Sequence, residues 1–491
     1  MLVERRTRGA LALLLLTPLY ASTSLATPKR PATLTVPIAA FASTSSLDNG
    51  VWVKLREDAP VGWDTAAGTT QAPGSTTESE TLRTLLAGST VHARFSRPAA
   101  ELREDSKRWD PTQQLADLTR YARLEGAEAQ LEGLRAHPWV ESVVPVAKPA
   151  PPSANTASVD LPPETPDYTS HQSYFGAAPD GFGVDDALRW TDAAGAGVQI
   201  ADIEYGWEPR HEDLPSAPLD VASGDNMQLF VAHGTSVLGV LIAGVNGYGV
   251  DGLVPNAEVS IVSPYDGTGF YDVADAIDRA AALLEPGSIL LIEQQTEAFG
   301  NYAPVEADPG VFDAITLAVS KGIVVIEPAG NGACDLDDTQ WEGLFDRSQR
   351  DSGAILVGGG ASPASGYVAR DWYPDGSCYG ERVDVQGWYD AITTTTTGEF
   401  GDHVADLFFP HHDDRQAYTT LFGGSSGAAA QIAGLAALVQ SVAISRHTDP
   451  LAPETLRNLF VRTGTPQAGD GSERIGPQPN VSRLFRVWFT P

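Results

Sequence analysis

Short apolar runs at residues 198–204, 289–293, 323–327 and 355–357 alternate along the chain with helix-period stretches at 236–243, 273–284, 311–320 and 428–441. Apolar runs of this length read as strands buried on both faces, and strands that alternate with helices are joined by crossovers. The pattern therefore predicts an α/β fold with a doubly wound, mostly parallel sheet and helices on both sides. Such a sheet collects its sites at the carboxyl ends of its strands. A surface helix is expected over 453–463, and Ile475-Gly476-Pro477 reads as the start of an irregular tail.

Four stretches carry chemistry. Residues 421–439 place Ser426 in a glycine-rich turn that opens into a small, apolar helix, so backbone N–H groups and the positive helix end face any anion forming beside its hydroxyl. Residues 231–244 present a lone histidine, His233, ahead of Gly-Thr and an apolar helix. Imidazole can take a hydroxyl proton and return it near neutrality. Residues 322–332 form an apolar run that ends in a Pro/Gly turn presenting Asn331, whose amide can donate to a developing oxyanion. In residues 197–214, Val198, Ile200, Asp202 and Glu204 alternate onto one strand face, which gives two candidate acids.

The order acid, His, Asn, Ser resembles that of the subtilases, the subtilisin-like serine peptidases. Their motifs Asp-Ser/Thr-Gly, His-Gly-Thr, Ala-Ala-Gly-Asn and Gly-Thr-Ser-Met-Ala-Thr-Pro have counterparts here in Glu204-Tyr205-Gly206, His233-Gly234-Thr235, Pro328-Ala329-Gly330-Asn331 and Gly424-Ser425-Ser426-Gly427-Ala428-Ala429-Ala430. His211-Glu212-Asp213-Leu214 and Gly252-Leu253-Val254-Pro255-Asn256-Ala257 resemble two further landmarks of the family. The resemblance spans roughly residues 180 to 468. It implies a subtilisin-like fold and a serine endopeptidase acting on protein or peptide substrates, with Ser426 as nucleophile, His233 as base and Asn331 as oxyanion donor.

The acid departs from the family pattern. Register on Gly206 favours Glu204, whereas a two-residue bulge would bring Asp202 forward. The strand that pairs with substrate in subtilases usually ends in Ser-Leu-Gly-Gly; here Glu293, Gln294 and Gln295 stand in its place as candidate substrate-binding residues. With the altered acid, these bulky side chains keep open a second function, a catalytically weak subtilase-fold binding protein. A lipase or esterase is disfavoured, since no Gly-x-Ser-x-Gly elbow occurs in the order Ser, Asp, His.

Residues 1–26 read as a Sec-type signal peptide: Arg5, Arg6 and Arg8 precede an apolar run, and Ser24-Leu25-Ala26 offers small residues for cleavage. The chain is expected to be secreted, and no other run in it reads as a membrane span. Residues 27–147 form a small α+β segment, with strands at 51–55 and 91–95 and helical stretches around Leu115, Leu118, Leu131 and Leu134. The resemblance implies a prodomain that inhibits the enzyme, the alternative reading being a plain N-terminal accessory domain. A Pro-rich linker follows at 148–163, then a peptidase domain with a C-terminal tail at 164–491. The formal net charge of −31, from 63 acidic and 32 basic residues, disfavours nucleic acid and anionic membranes as partners. The only two cysteines, Cys334 and Cys378, flank the candidate site and suit a disulfide in an oxidising compartment. No zinc-type spacing occurs and no required cofactor is expected; a structural calcium, common in subtilases, is a possibility that no recognisable loop indicates.

Overall fold

Val51, Val53 and Leu55 alternate with Trp52 and Lys54, so the strand they form has two buried faces of different character. The computed structural model describes residues 50–64, 69–71, 76–110, 115–146, 164–189, 194–215, 226, 230–397, 399–400, 403–404, 406–408, 413–447 and 449–489. The expected signal peptide and Pro-rich linker lie outside them. Strand β1 (Val51–Leu55) belongs to an antiparallel sheet with β2 (Thr90–Ala93), β3 (Tyr121–Glu125) and β4 (Val140–Pro145), in the order β2-β3-β1-β4. Val51, Val53 and Leu55 join Leu82 of α1 (Thr77–Leu85) and Leu134 of α3 (Leu131–Ala136) in a core of the unit's own. The helices α1 and α2 (Ala99–Trp109) escaped the apolar pattern because each buries so few side chains: Ser79 and Leu82 in α1, Leu102 in α2. Leu118, expected in a helical stretch, instead opens a single 3-10 turn that leads into β3.

The main sheet has six parallel strands: β5 (Gln199–Ile203), β6 (Glu258–Val262), β7 (Ile289–Ile292), β8 (Val324–Pro328), β9 (Ile355–Gly360) and β10 (Val385–Trp388). Their order is β10-β9-β8-β7-β5-β6. Alternate residues serve the two faces. Ile200, Ile289, Leu291, Val324, Ile326 and Val357 pack on α4 (Val231–Ile242) and α7 (Gly424–His447). Ala201, Ile203, Leu290, Ile292 and Val325 pack on α5 (Val273–Leu283) and α6 (Pro309–Ser320). The order reverses between β5 and β7, and the carboxyl ends of those neighbours define the crevice where ligands of open α/β sheets bind.

By length and apolar content, residues 424–446 could cross a membrane, contrary to the expectation that no run beyond the signal does; 94% of that window is buried in this protein, which makes α7 the central core helix. The tail is also more regular than expected: after α8 (Pro453–Thr463) comes α9 (Val481–Trp488), capped by Asn480, whose side chain accepts from the Arg483 N–H at 2.8 Å. Cys334 and Cys378 form a disulfide across 44 residues.

The N-terminal unit docks on α5 and α6 through the other face of its sheet. Phe95, Leu102, Leu118 and Tyr121 join the core of those helices. Arg94 is buried 4.2 Å from the Trp52 ring, with Asp272 at 3.3 Å and Asp308 at 3.0 Å. Gly310 leaves room for it: a Cβ there would stand 2.1 Å from an Arg94 guanidinium nitrogen. Lys54 reaches Asp313 and Glu141, both at 2.9 Å. Removing one partner of a buried ion pair strands the other. Burial already pushes Asp272 up to about 7 against the pull of Arg94, so it will take up a proton when the cation is lost. Arg94→Met is therefore expected to cost about 3 kcal/mol, the lower end for such a site. Urea unfolding followed by tryptophan fluorescence measures this, and an unchanged midpoint contradicts it. Cys334→Ser with Cys378→Ser is expected to lower stability by about 4 kcal/mol in the chain-entropy account, read as a fall in melting temperature; an unchanged melting temperature contradicts it.

Candidate functional site

Glu204 follows β5 directly, and its carboxylate is completely buried. Oε1 accepts the backbone N–H of Tyr205 at 2.7 Å, and Oε2 lies 2.6 Å from His233 Nδ1. His233 sits within the first turn of α4, slightly inside the helix that the sequence placed after it. A Cβ on the next residue, Gly234, would fall 2.2 Å from the Gly206 carbonyl oxygen and 2.6 Å from Glu204 Cγ. Glycine is thus what lets the helix pack directly on the Gly206 backbone and the Glu204 side chain. With Nδ1 on the carboxylate, the neutral ring carries its proton there and leaves Nε2 as an acceptor. Nε2 has no hydrogen-bond partner among the described residues.

Ser426 is the third residue of α7 and is partly exposed, so its hydroxyl stands at the positive end of a 24-residue helix. The preceding Ser425 N–H donates to Asn331 Oδ1 at 2.8 Å, which ties the nucleophile turn to the loop after β8. Gly424 makes that turn with φ +76° and brings its backbone beside Asn331. The Phe422 ring, 5.8 Å from the His233 ring and nearly perpendicular to it, walls the imidazole.

Asp202 and Glu204 share burial but not partners. Both Asp202 oxygens lack a hydrogen-bond partner among the described residues. Burial, then the nearby Glu204 charge, holds its carboxyl well above the usual range. The geometry therefore favours Glu204 over Asp202 as the partner of the imidazole. For His233, burial pulls the pKa down, but the charge and hydrogen bond of Glu204, with a smaller pull from Glu293, outweigh it and the net shift is upward.

The strand end after β7 is more varied than a substrate-binding edge. Glu293 is buried with both oxygens unpaired in good geometry, and it interacts electrostatically with His233 and Ser426. Burial raises its carboxyl well above the usual range, partly opposed by His233. Gln294, expected to touch substrate, is turned into the scaffold: Nε2 donates to the Ile203 carbonyl at 3.2 Å and Oε1 accepts from the Tyr271 hydroxyl at 3.0 Å. Its amide is engaged at both ends, tying the segment after β7 to the end of β5 and to the loop before α5. Gln295 lies beside Asn331. The sequence offered no sign of the roles of Gly234 and the Tyr205 N–H, since both act through shape or backbone. Among the described residues, no cluster of three or more His, Cys, Asp or Glu side chains is arranged to hold a metal ion.

Residues 195–477 match the subtilase family. An intracellular serine protease of Paenibacillus polymyxa is 25% identical over 318 residues, covering 60% of this chain and 84% of that protein. Thermitase of Thermoactinomyces vulgaris is 28% identical over 173 residues, covering 33% of this chain and 58% of its own. Among solved structures, a Pseudoalteromonas arctica protease aligns with a TM-score of 0.46 at 18% identity, covering 66% of this chain and 99% of the other. The family match takes in more than half of the 491 residues, with Glu204, His233, Asn331 and Ser426 inside it, and the chain belongs to the subtilase family as a serine-type peptidase.

Proposed function

We propose that this chain is a secreted endopeptidase in which Ser426, His233 and Glu204 form the charge relay. The carrying observation is the 2.6 Å contact between Glu204 Oε2 and His233 Nδ1. In this reading Ser426 Oγ attacks the scissile carbonyl carbon as its proton passes to His233 Nε2. Glu204 stays ionised and stabilises the imidazolium. The oxyanion accepts from the Ser426 N–H and Asn331 Nδ2. The imidazolium then protonates the leaving amine, and water hydrolyses the acyl ester by the same relay run again.

The N-terminal unit, in this reading, is an inhibitory prodomain. Two features support it: its cations are buried against acids of α5 and α6, and Val146, one residue past β4, lines a small cavity with Gln295 and Thr296 at the edge of the site. Secretion rests on the signal-like N-terminus.

Kinetics on peptide substrates test the relay. Glu204→Gln keeps the shape but favours the wrong imidazole tautomer, and is expected to lower turnover by roughly 10⁴. Asp202→Asn replaces a carboxyl with no hydrogen-bond partner among the described residues and is expected to retain most activity. Comparable losses in both variants would overturn the assignment of the acid, and full activity in both would overturn the relay. Mutation of Ser426 to alanine is expected to abolish hydrolysis with the fold intact by circular dichroism, and hydrolysis that persists would remove it as nucleophile.

The pH profile follows from His233. The ring must be neutral to accept the Ser426 proton, and its pKa is raised, so activity falls as pH drops through a value above 6.5. The acid limb of kcat/KM is expected above 6.5 and unmoved by Asp202→Asn, since the ring is paired with Glu204 and not with that carboxyl. A limb below 6.5 contradicts the account.

A further inference from the structure

The side chain of Asn331 is held at both ends. Its Oδ1 accepts the Ser425 N–H at 2.8 Å, and its Nδ2 donates to Gln295 Oε1 at 3.2 Å. The same Gln295 oxygen accepts the backbone N–H of Asn331 at 3.0 Å. Backbone N–H groups can only donate, so chemistry settles both amide orientations: oxygen must face Ser425, and the Gln295 oxygen must face Asn331. Asn331 Nδ2 carries two hydrogens, and Gln295 uses one. The other makes no hydrogen bond among the described residues.

The surroundings hold this arrangement in place. A hairpin, Thr296–Ala298 paired with Asn301–Ala303, begins immediately after Gln295. A Cβ at Gly330 would stand 2.6 Å from the Tyr302 carbonyl oxygen, and one at Gly332 2.3 Å from the same atom. The Asn331 loop is thus pressed onto the hairpin that Gln295 anchors. Glycine, the residue the family pattern would put near this point, has no side chain with which to make either contact.

We propose that Gln295 is a positioning residue for the oxyanion donor: its Oε1 clamps the Asn331 amide so that one Nδ2 hydrogen stays available to the charge that develops beside Ser426. This rests on the reading of Asn331 as oxyanion donor. A donor helps the transition state most when it needs no reorientation as charge appears. Without Gln295, the amide keeps its Ser425 contact and loses the second point that stops it turning. The consequence falls on kcat, since the oxyanion exists only after attack.

A double-mutant cycle on the full chain tests the clamp, using Gln295→Met, which is close in size but lacks the acceptor, with Asn331→Ala and the double variant. Asn331→Ala is expected to lower kcat by about 10² to 10³. Gln295→Met is expected to lower kcat roughly three- to tenfold, the size of one orienting hydrogen bond, with KM within about twofold. In the Asn331→Ala background the Gln295 change is expected to have no further effect. Gln295→Ser serves as a second variant should methionine crowd the hairpin.

Each other outcome overturns the proposal in a recognisable way. An unchanged kcat in Asn331→Ala removes the oxyanion reading and the clamp with it. A faster enzyme after Gln295→Met means that the glutamine blocks the site. A change confined to KM makes it a substrate contact, and an equal fall in kcat with Asn331 already removed makes it scaffold.

Discussion

The site depends on one buried contact, that between the Glu204 carboxylate and His233 Nδ1 at 2.6 Å. An ion in this position would be costly if unpaired, and its two oxygens are satisfied by the imidazole and by the Tyr205 N–H. Everything around the pair serves that arrangement. β5 ends at Ile203 so that Glu204 leaves the sheet at the switch point, and the bare backbone of Gly234 lets α4 pack against it. Glu204 reaches the imidazole without a bulge in β5, whose described pairing with β6 is continuous from Gln199 to Ile203.

Burial and neighbouring negative charge hold two further carboxyls near this pair, those of Asp202 and Glu293, well above the usual range. Asp202 has no hydrogen-bond partner among the described residues, whereas Glu293, just past the end of β7, interacts electrostatically with His233 and Ser426. A different balance holds where the N-terminal unit meets α5 and α6: Arg94 and Lys54 are buried opposite Asp272, Asp308 and Asp313, and aromatic faces from Trp52 and Tyr121 cover them.

The sheet and its main helices were legible because their apolar runs are long and regular. The order of the motif residues was legible because each sits in a short local signature: Glu204 and Asn331 just past strands of the main sheet, His233 and Ser426 in the first turns of α4 and α7. Asp202 and Glu204 could not be separated with certainty from alternation alone, since both lie on one strand face; it took the position of α4 to decide which of them meets an imidazole. Gln294 and Gln295 looked equivalent in sequence, yet in the segment between β7 and the following hairpin Gln294 points into the scaffold and Gln295 onto Asn331. The N-terminal helices were hidden by their shallow burial, and α7 passes a membrane-span criterion because the centre of a large α/β core is as apolar as a bilayer.

The most direct test of the account is the tautomer of His233, read from the nitrogen-15 chemical shifts of its ring in protein labelled at histidine, with His233→Gln to assign the signal. Above the raised pKa of the ring, the account predicts a proton on Nδ1, bonded to Glu204, and a bare Nε2, with that preference lost in Glu204→Gln and kept in Asp202→Asn. A ring protonated on Nε2 in the unaltered protein, or a preference insensitive to Glu204, would contradict it.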